Sequence, residues 1–451
     1  MTEELARKGS EAGLTEAGAP ALLRAMFDAA VAAADPMQVL PAALPARPAG
    51  RVIVVGAGKA AARMAEAVES VWGPCEGLVI TRYGYNRPTR GIEVVEASHP
   101  TPGPEAVIAT RRILELLEGA GPADFVLGLI SGGGSALLCA PGTGISLADK
   151  QDLTRALLAS GAPIDQINTV RKHLSAVKGG QLAAAAHPAR MLTLMISDVP
   201  GDDPAFIASG PTVGDFSTPA EAIALLAAYE IPVPPPVLMQ LGLGSGVLRP
   251  GDPRLSLADT RIVAAPAQSL AAAAEVARAA GCEVQILGDA LEGEARDQGA
   301  SQAREALWQA SRRSAEAPPL VLLSGGECTV SLGGNSPPAP VGAPLSSSPA
   351  PVGGPNAEFL LAALIVLEGA PGIHALACDT DGVDGGAEVA GALIGPEVWA
   401  RALTARICPE DALRRHDAHG LFAQLGAQVV TGPTLTNVND FRAFLILPPA
   451  R

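Results

Sequence analysis

From about residue 51 to its end the chain alternates short, β-branched apolar runs with longer Ala- and Leu-rich stretches, a rhythm that leaves few fold classes open. Strands joined by crossover helices produce that pattern, so a parallel α/β sheet is predicted. The runs are RVIVV (51–55), GLVIT (77–81), FVLGLI (125–130), MLTLMI (191–196), RIVAA (261–265), CEVQIL (282–287), LVLL (320–323), HALAC (374–378) and FRAFLIL (441–447). Helices are predicted at 59–71, 147–159, 267–280, 295–310 and 358–367. Most of the runs end in Gly, Ser or Asp. Open α/β sheets bind ligands beyond the carboxyl ends of their strands, so the loops there are the place to look for chemistry.

The chain has 451 residues, and single cores stop growing near roughly 250–300. Two domains are therefore expected: a larger Rossmann-like one over 1–245 and a smaller α/β one over 246–451. Each is predicted to be a mainly parallel sheet sandwiched by helices, with a cleft between them. The Pro- and Gly-dense segment 231–253 reads as the linker, and the Pro/Ser-rich tract 335–352 as an exposed, mobile loop. Charged residues make up only 17% of the chain, yet the net charge is −14. An acidic field of that size disfavours nucleic acid and anionic membrane and favours a small metabolite as partner. The first eighteen residues carry charges throughout, and no apolar run approaches the ~20 residues needed to span a bilayer, so a cytoplasmic protein is expected. Six dispersed cysteines without a C-x-x-C pair read as reduced thiols rather than a zinc site. A homodimer is left open.

The first loop of interest is VVGAGKAA (54–61), where a strand turns through Gly56 and Gly58 into a helix opening at Lys59. It fits G-x-G-x-x-A, so binding of a nicotinamide dinucleotide stays open. However, the next strand ends in Arg82 rather than in the acidic residue that would hold a ribose. A cation inside the turn suits phosphoryl transfer better than a pyrophosphate cradle. An ordinary βα turn with a solvated Lys is the plain alternative. ISGGGSALL (130–138) presents Ser131, Gly132, Gly133, Gly134 and Ser135, a loop whose backbone can approach a phosphate closely. The second half echoes it in LSGGECT (323–329), with Gly325, Gly326 and Glu327.

Two acidic loops follow strands: ISDVPGDD (196–203), with Asp198, Asp202 and Asp203, and CDTDGVDGG (378–386), with Asp379, Asp381 and Asp384. Clustered carboxylates call for a cation, and Mg²⁺ carried with ATP is the usual one, although Asx turns explain single members equally well. INTVRKHLSAVKGG (167–180) gathers Arg171, Lys172, His173 and Lys178, where a carboxylate or phosphate has a place to dock. TGPTLTNVNDF (431–441) offers Thr434 and Asn437 as small polar donors. Neither a P-loop, nor the protein-kinase loops, nor a G-x-S-x-G elbow is present.

Taken in order, VVGAGKAA, SHPTPG, LISGGGSALL, INTVRKHLSAVKGGQLA, ISDVPGDDPAFIASGPTVGD, SGGECTV, GGPNAEF, DTDGVDG and TGPTLTNVND resemble the glycerate 2-kinase family, members of which have also been labelled hydroxypyruvate reductases. The resemblance implies ATP- and Mg²⁺-dependent phosphorylation of D-glycerate at its 2-hydroxyl, with Lys59 as a catalytic cation. Asp198 and Asp379 are then candidates for binding the metal or accepting the hydroxyl proton, with Asp203 and Asp381 as further metal candidates. Asn356 and Glu358 join the binding residues. Two positions depart from the family: Pro355 stands where an Arg is common, so that either Arg171 or Lys172 supplies that charge or turnover is slower, and Gly103 stands where an Asp is frequent.

Overall fold

A computed structural model describes residues 14–331 and 353–449. The expected mobile tract 335–352 lies outside the described residues. The chain divides into two compact units. One comprises Ala34–Ala265 with Leu435–Asn437; the other comprises Met1–Ala33, Pro266–Thr434 and Val438–Arg451.

The first unit is built on β1 (Val52–Ala57), β2 (Glu76–Arg82), β3 (Ile92–Ala97), β4 (Phe125–Ile130), β5 (Arg190–Ile196) and β6 (Ala258–Ala264), in the order β3-β2-β1-β4-β5-β6. All five pairings are parallel. Such strands are covered on both faces, which is why β1 is buried at every position and reads as unbroken VIVVGA. Helices Ala61–Trp72 and Pro104–Glu118 supply crossovers, and the latter buries Ala106, Ala109 and Ile113 against Ile53, Val55 and Leu78. Beyond β3 the chain returns to the other side of β1, so the order reverses between β1 and β4. That switch point is where open sheets bind ligands.

After β4 and after β5 the chain makes helical excursions. Leu147–Ala159 and Ile164–His173 come from the first, Pro219–Ala228 and Pro235–Leu243 from the second. They share a small core of Leu153, Leu157, Ile167, Val170, Leu226, Val237 and Leu241. The segment expected to be a linker therefore contains a packed helix instead. Its prolines sit at the helix start, where a missing N–H is harmless. The chain leaves this unit after β6, at Ala265, rather than near residue 245.

The second unit carries β7 (Glu283–Gly288), β9 (Leu320–Gly326), β11 (Ile373–Asp379), β12 (Gly391–Ile394), β13 (Gln428–Val429) and β14 (Asp440–Ile446), in the order β13-β12-β11-β14-β9-β7, with a two-stranded ladder of β8 (Gly293–Glu294) and β10 (Cys328–Thr329). Among the described residues parallel pairing predominates, but in this unit only β7–β9 and β8–β10 are parallel and four pairings are antiparallel. The cause is local: β12 follows β11 through a loop too short to hold a crossover helix, so it must run back. Alternate residues of β9 face opposite layers. Leu320 and Leu322 pack with helix Pro355–Leu367, whereas Val321 and Leu323 pack with helices Ala19–Ala33 and Pro266–Ala279. The N-terminal helix thus belongs to this unit. By length and composition Glu16–Ala43 would suffice to cross a membrane. It breaks instead at Asp35, which caps the next helix, while Leu23, Met26 and Phe27 are buried in the core.

Candidate active site

At the β1/β4 switch point the two glycine loops are laced together. A Cβ on Gly56 would lie 2.1 Å from the Leu129 carbonyl oxygen, and one on Gly58 (φ +143°) 2.1 Å from Ser131 Oγ, so packing against β4 requires both glycines. The amides of the turn are already occupied. Gly58 N–H donates to Ile80 O (3.1 Å), Lys59 N–H to Gly132 O (2.8 Å), Ala60 N–H to Ser131 Oγ (3.0 Å) and Ala61 N–H to Gly58 O (3.1 Å). The donors that a dinucleotide pyrophosphate would use at such a helix start are engaged by the protein itself.

Four side chains converge on the second loop. A Cβ on Gly132 would meet Asn437 Nδ2 at 2.1 Å and Asp198 Oδ2 at 2.2 Å, and Asn437 Nδ2 donates to that carboxylate oxygen at 3.1 Å. One on Gly133 (φ +78°) would lie 3.0 Å from His99 Nε2 and 3.2 Å from Lys59 Cγ. The bare backbone there leaves room for Lys59, His99, Asp198 and Asn437 to gather over it. Ser135 Oγ lies 2.8 Å from Ser209 Oγ, whose hydroxyl donates to Asn168 Oδ1 at 3.1 Å. Ala208 (φ +52°) and Ser209 (φ +62°) hold left-handed backbone, which costs about 1–2 kcal/mol per residue. The bond from Lys178 Nζ to Ala208 O (3.1 Å) and that from Gly179 N–H to Ser209 O (3.3 Å) keep the turn in place.

Beside this loop lies a cavity of about 140 Å³ whose lining includes His99, Gly133, Ser135, Lys150, Arg171 and Lys178. Lys150 is 3% exposed and Lys178 is fully buried. Burial, followed by repulsion from neighbouring cations, pushes Lys178 well below the usual lysine range. Burial likewise lowers Lys150 and Arg171. A larger, open groove of about 570 Å³ runs along Phe216, Glu221, Ala224 and Leu225; it has none of these cations, so the smaller cavity is the candidate for anion chemistry.

The remaining sequence candidates separate. Lys172 is not in the cavity lining; its ammonium is paired with Asp215, so of the two cations considered for the missing Arg only Arg171 faces the site. Asp203 is exposed and accepts from Ala205 N–H at 2.8 Å, an Asx turn. Gly325, Gly326, Glu327, Asn356, Glu358, Asp379, Asp381 and Thr434 belong to the second unit. There Asp384 accepts from Asn356 N–H (3.0 Å) and Ala357 N–H (2.8 Å), anchoring helix Pro355–Leu367. Glu358 is fully buried, with Arg296 at 2.8 Å and His416 Nδ1 at 2.9 Å. Asn356 Nδ2 donates to Asp440 at 2.6 Å, and the Arg442 guanidinium supports the carbonyls of Gly325 and Gly326. Asp379 and Asp381 accept backbone N–H bonds two residues ahead, and Thr434 donates to Thr380 O at 2.5 Å. Among the described residues no group of three or more His, Cys, Asp or Glu side chains is arranged to hold a metal ion. Mg²⁺ commonly binds through one or two carboxylates plus substrate phosphates, and Asp198 fits that role.

Sequence reasoning missed His99, Lys150 and Ser209 as parts of this constellation. Lys150 did leave a signal. Helix Leu147–Ala159 starts at a Ser146/Asp149 capping box, which puts Lys150 on the same buried stripe as Leu153 and Leu157.

Two family models match the chain: a domain of unknown function, DUF4147, over residues 22–242, and the MOFRL family over residues 320–440. A D-glycerate 2-kinase of Thermotoga maritima is 36% identical over 92% of this chain and 96% of its own length. A putative hydroxypyruvate reductase of Agrobacterium vitis is 49% identical over 94% of each. The crystal structure of the Thermotoga maritima glycerate kinase superposes with a TM-score of 0.79, at 35% identity, covering 94% of this chain and 98% of that one. With sequence, domain order and fold in agreement over nearly the full length, the chain belongs to the glycerate 2-kinase family.

Proposed function

We propose that this chain transfers the γ-phosphoryl group of ATP to the 2-hydroxyl of D-glycerate, giving 2-phosphoglycerate and ADP in the cytoplasm. The observation that carries the reading is the convergence of Lys59, Asp198 and Asn437 on a glycine loop at the sheet's switch point, beside a cationic cavity. In phosphoryl transfer the protein mostly aligns the partners and neutralises charge on the equatorial oxygens. Lys59 meets that charge, and Gly132 and Gly133 let the phosphoryl group approach the backbone. Asp198, held by Asn437, takes the proton from the attacking hydroxyl or shares the nucleotide's Mg²⁺. The new bond is hydroxyl O–Pγ, and the bond broken is Pγ to the bridging oxygen of departing ADP. Mg²⁺, when bound, supplies charge neutralisation at the phosphates.

The names of relatives such as that of Agrobacterium vitis raise a reductase instead. The occupied amides of Gly58, Lys59, Ala60 and Ala61 speak against a dinucleotide cradle. Purified protein is expected to release ADP from ATP in the presence of D-glycerate and Mg²⁺, and to leave NADPH unoxidised with hydroxypyruvate. The reverse outcome would overturn the kinase reading.

A further inference from the structure

Lys150, Arg171 and Lys178 form no ion pair among the described residues, although each lines the same cavity in a chain with a large excess of acid. Lys150 Nζ is buried and has no hydrogen-bond partner among the described residues. Lys178 Nζ has one, the carbonyl of Ala208. Buried charges are ordinarily paired, because an unpaired one loses its hydration and gains nothing in return. Three cations lining one cavity without an acid among them are therefore unfavourable in the free protein and become favourable once an anion enters.

We infer that this cavity is the subsite for the substrate's carboxylate, and that it selects a 2-hydroxy acid. The inference rests on the kinase reading and adds to it which group binds where. Two oxyanions are available, the carboxylate of the acid and the phosphates of the nucleotide. A volume of about 140 Å³ is well below the ~300 Å³ at which larger ligands begin to be accommodated. It takes one small oxyanion with its carbon stem, not a triphosphate chain. Gly133 lines the cavity and also abuts the Lys59 side chain. A carboxylate seated among the three cations thus leaves the hydroxyl of the adjacent carbon, the 2-hydroxyl, at the Lys59 rim. The 3-hydroxyl is one carbon farther out, so the anchor also sets which oxygen is phosphorylated.

The test is Lys150→Met, with Lys150→Arg as the charge-retaining control. Removing an uncompensated buried cation should leave the melting temperature of the ligand-free protein equal or raised. The KM for D-glycerate should rise by roughly 10- to 100-fold, the loss of one charged hydrogen bond, while the KM for ATP stays within about two-fold. Lys150→Arg should recover part of the D-glycerate affinity. A rise in the ATP KM with the D-glycerate KM unchanged would place a phosphate in the cavity and overturn the inference. So would a lower melting temperature with both KM values unchanged, which would make Lys150 structural. Arg171→Gln, at a less buried position in the same cavity, serves if the Met variant does not fold. Thermal protection without nucleotide keeps this test separate from the kinase reading. D-glycerate and D-lactate, but not glycerol, should stabilise the parent, and Lys150→Met should abolish the effect. Equal protection of parent and variant would sink the inference even if the kinase assay succeeds. Loss of protection would sustain it even if that assay fails.

Discussion

The second unit and the cationic cavity of the first treat buried charge in opposite ways. In the second unit the buried charges are matched: Glu358 lies between Arg296 and His416, Asp440 meets Arg442 and Asn356, and Asp384 receives two helix amides with His419 nearby. In the first unit Lys150, Lys178 and Arg171 share a cavity with no acid among its lining residues. Matched charge is architecture, since each partner satisfies the other whether or not a ligand is present. Unmatched charge is capacity for binding, because what it lacks must come from outside. Composition draws no such distinction; both units contain glycine- and carboxylate-bearing loops after their strands, and only the partners of those loops differ.

The largest expected effect comes from breaking a matched site. Asp384→Ala would strip the anchor from Asn356 and Ala357 N–H and leave His419 beside an empty space. Losing one partner of a buried charge cluster costs about 3–5 kcal/mol. Denaturant unfolding should show that loss. A variant as stable as the parent would mean that the second unit's charges are not architecture, and the comparison would fail there.

Next in size is Lys59→Met in the first unit. On the proposed mechanism Lys59 meets the charge that develops at the glycine loop, so kcat should fall by roughly 10² to 10³, as for loss of one preorganised donor. The melting temperature should hold, because the turn's backbone bonds to Ile80, Gly132 and Ser131 do not involve the ammonium. Steady-state kinetics beside a melting curve decide it. Near-normal turnover of a folded variant would return Lys59 to the role of an ordinary turn residue.

Much of this was legible in the sequence, for physical reasons that also mark where legibility stopped. Strands such as FVLGLI and MLTLMI are buried on both faces and so read as unbroken apolar runs. IEVVEA (92–97), which forms the edge strand β3, alternates with Glu and was not recognised, nor was the four-residue β12. Glycine loops showed because close backbone approach demands glycine, and Gly132 is crowded by Asp198 and Asn437 as that demand predicts. Prolines 234 to 236 looked like a linker because proline starts helices as readily as it ends them. The membership of helix Ala19–Ala33 in the second unit was invisible, since its partner, Pro266–Ala279, lies far along the chain. Lys172 and Arg171 are adjacent in sequence yet serve different ends, one paired with Asp215 and the other facing the cavity, and only tertiary packing separates them.

The smallest expected effect asks whether the contrast follows the unit or the partner. His173 lies in the first unit, near the unmatched cations, yet its ring is engaged on both sides, with Ser245 Oγ 2.6 Å from Nδ1 and Ser217 Oγ 3.0 Å from Nε2. Ser217 directs its own proton to Asp215, so Nε2 carries the hydrogen, and in the neutral ring Nδ1 accepts from Ser245. Burial, reinforced by the Lys172 charge and opposed by Asp215, pushes His173 down to about 4. A depressed histidine contributes its full stability above its unfolded value near 6.5 and loses it as pH falls toward 4, because the unfolded chain then binds the extra proton. Between pH 6.5 and 5 that amounts to about 2 kcal/mol. His173→Gln should show a stability profile flatter by this amount over the same window, whatever its stability at pH 7. Parallel profiles for parent and variant would mean that the site accommodates the charged ring. His173 would then stand with the unmatched cations of its unit rather than with the matched charges of the other.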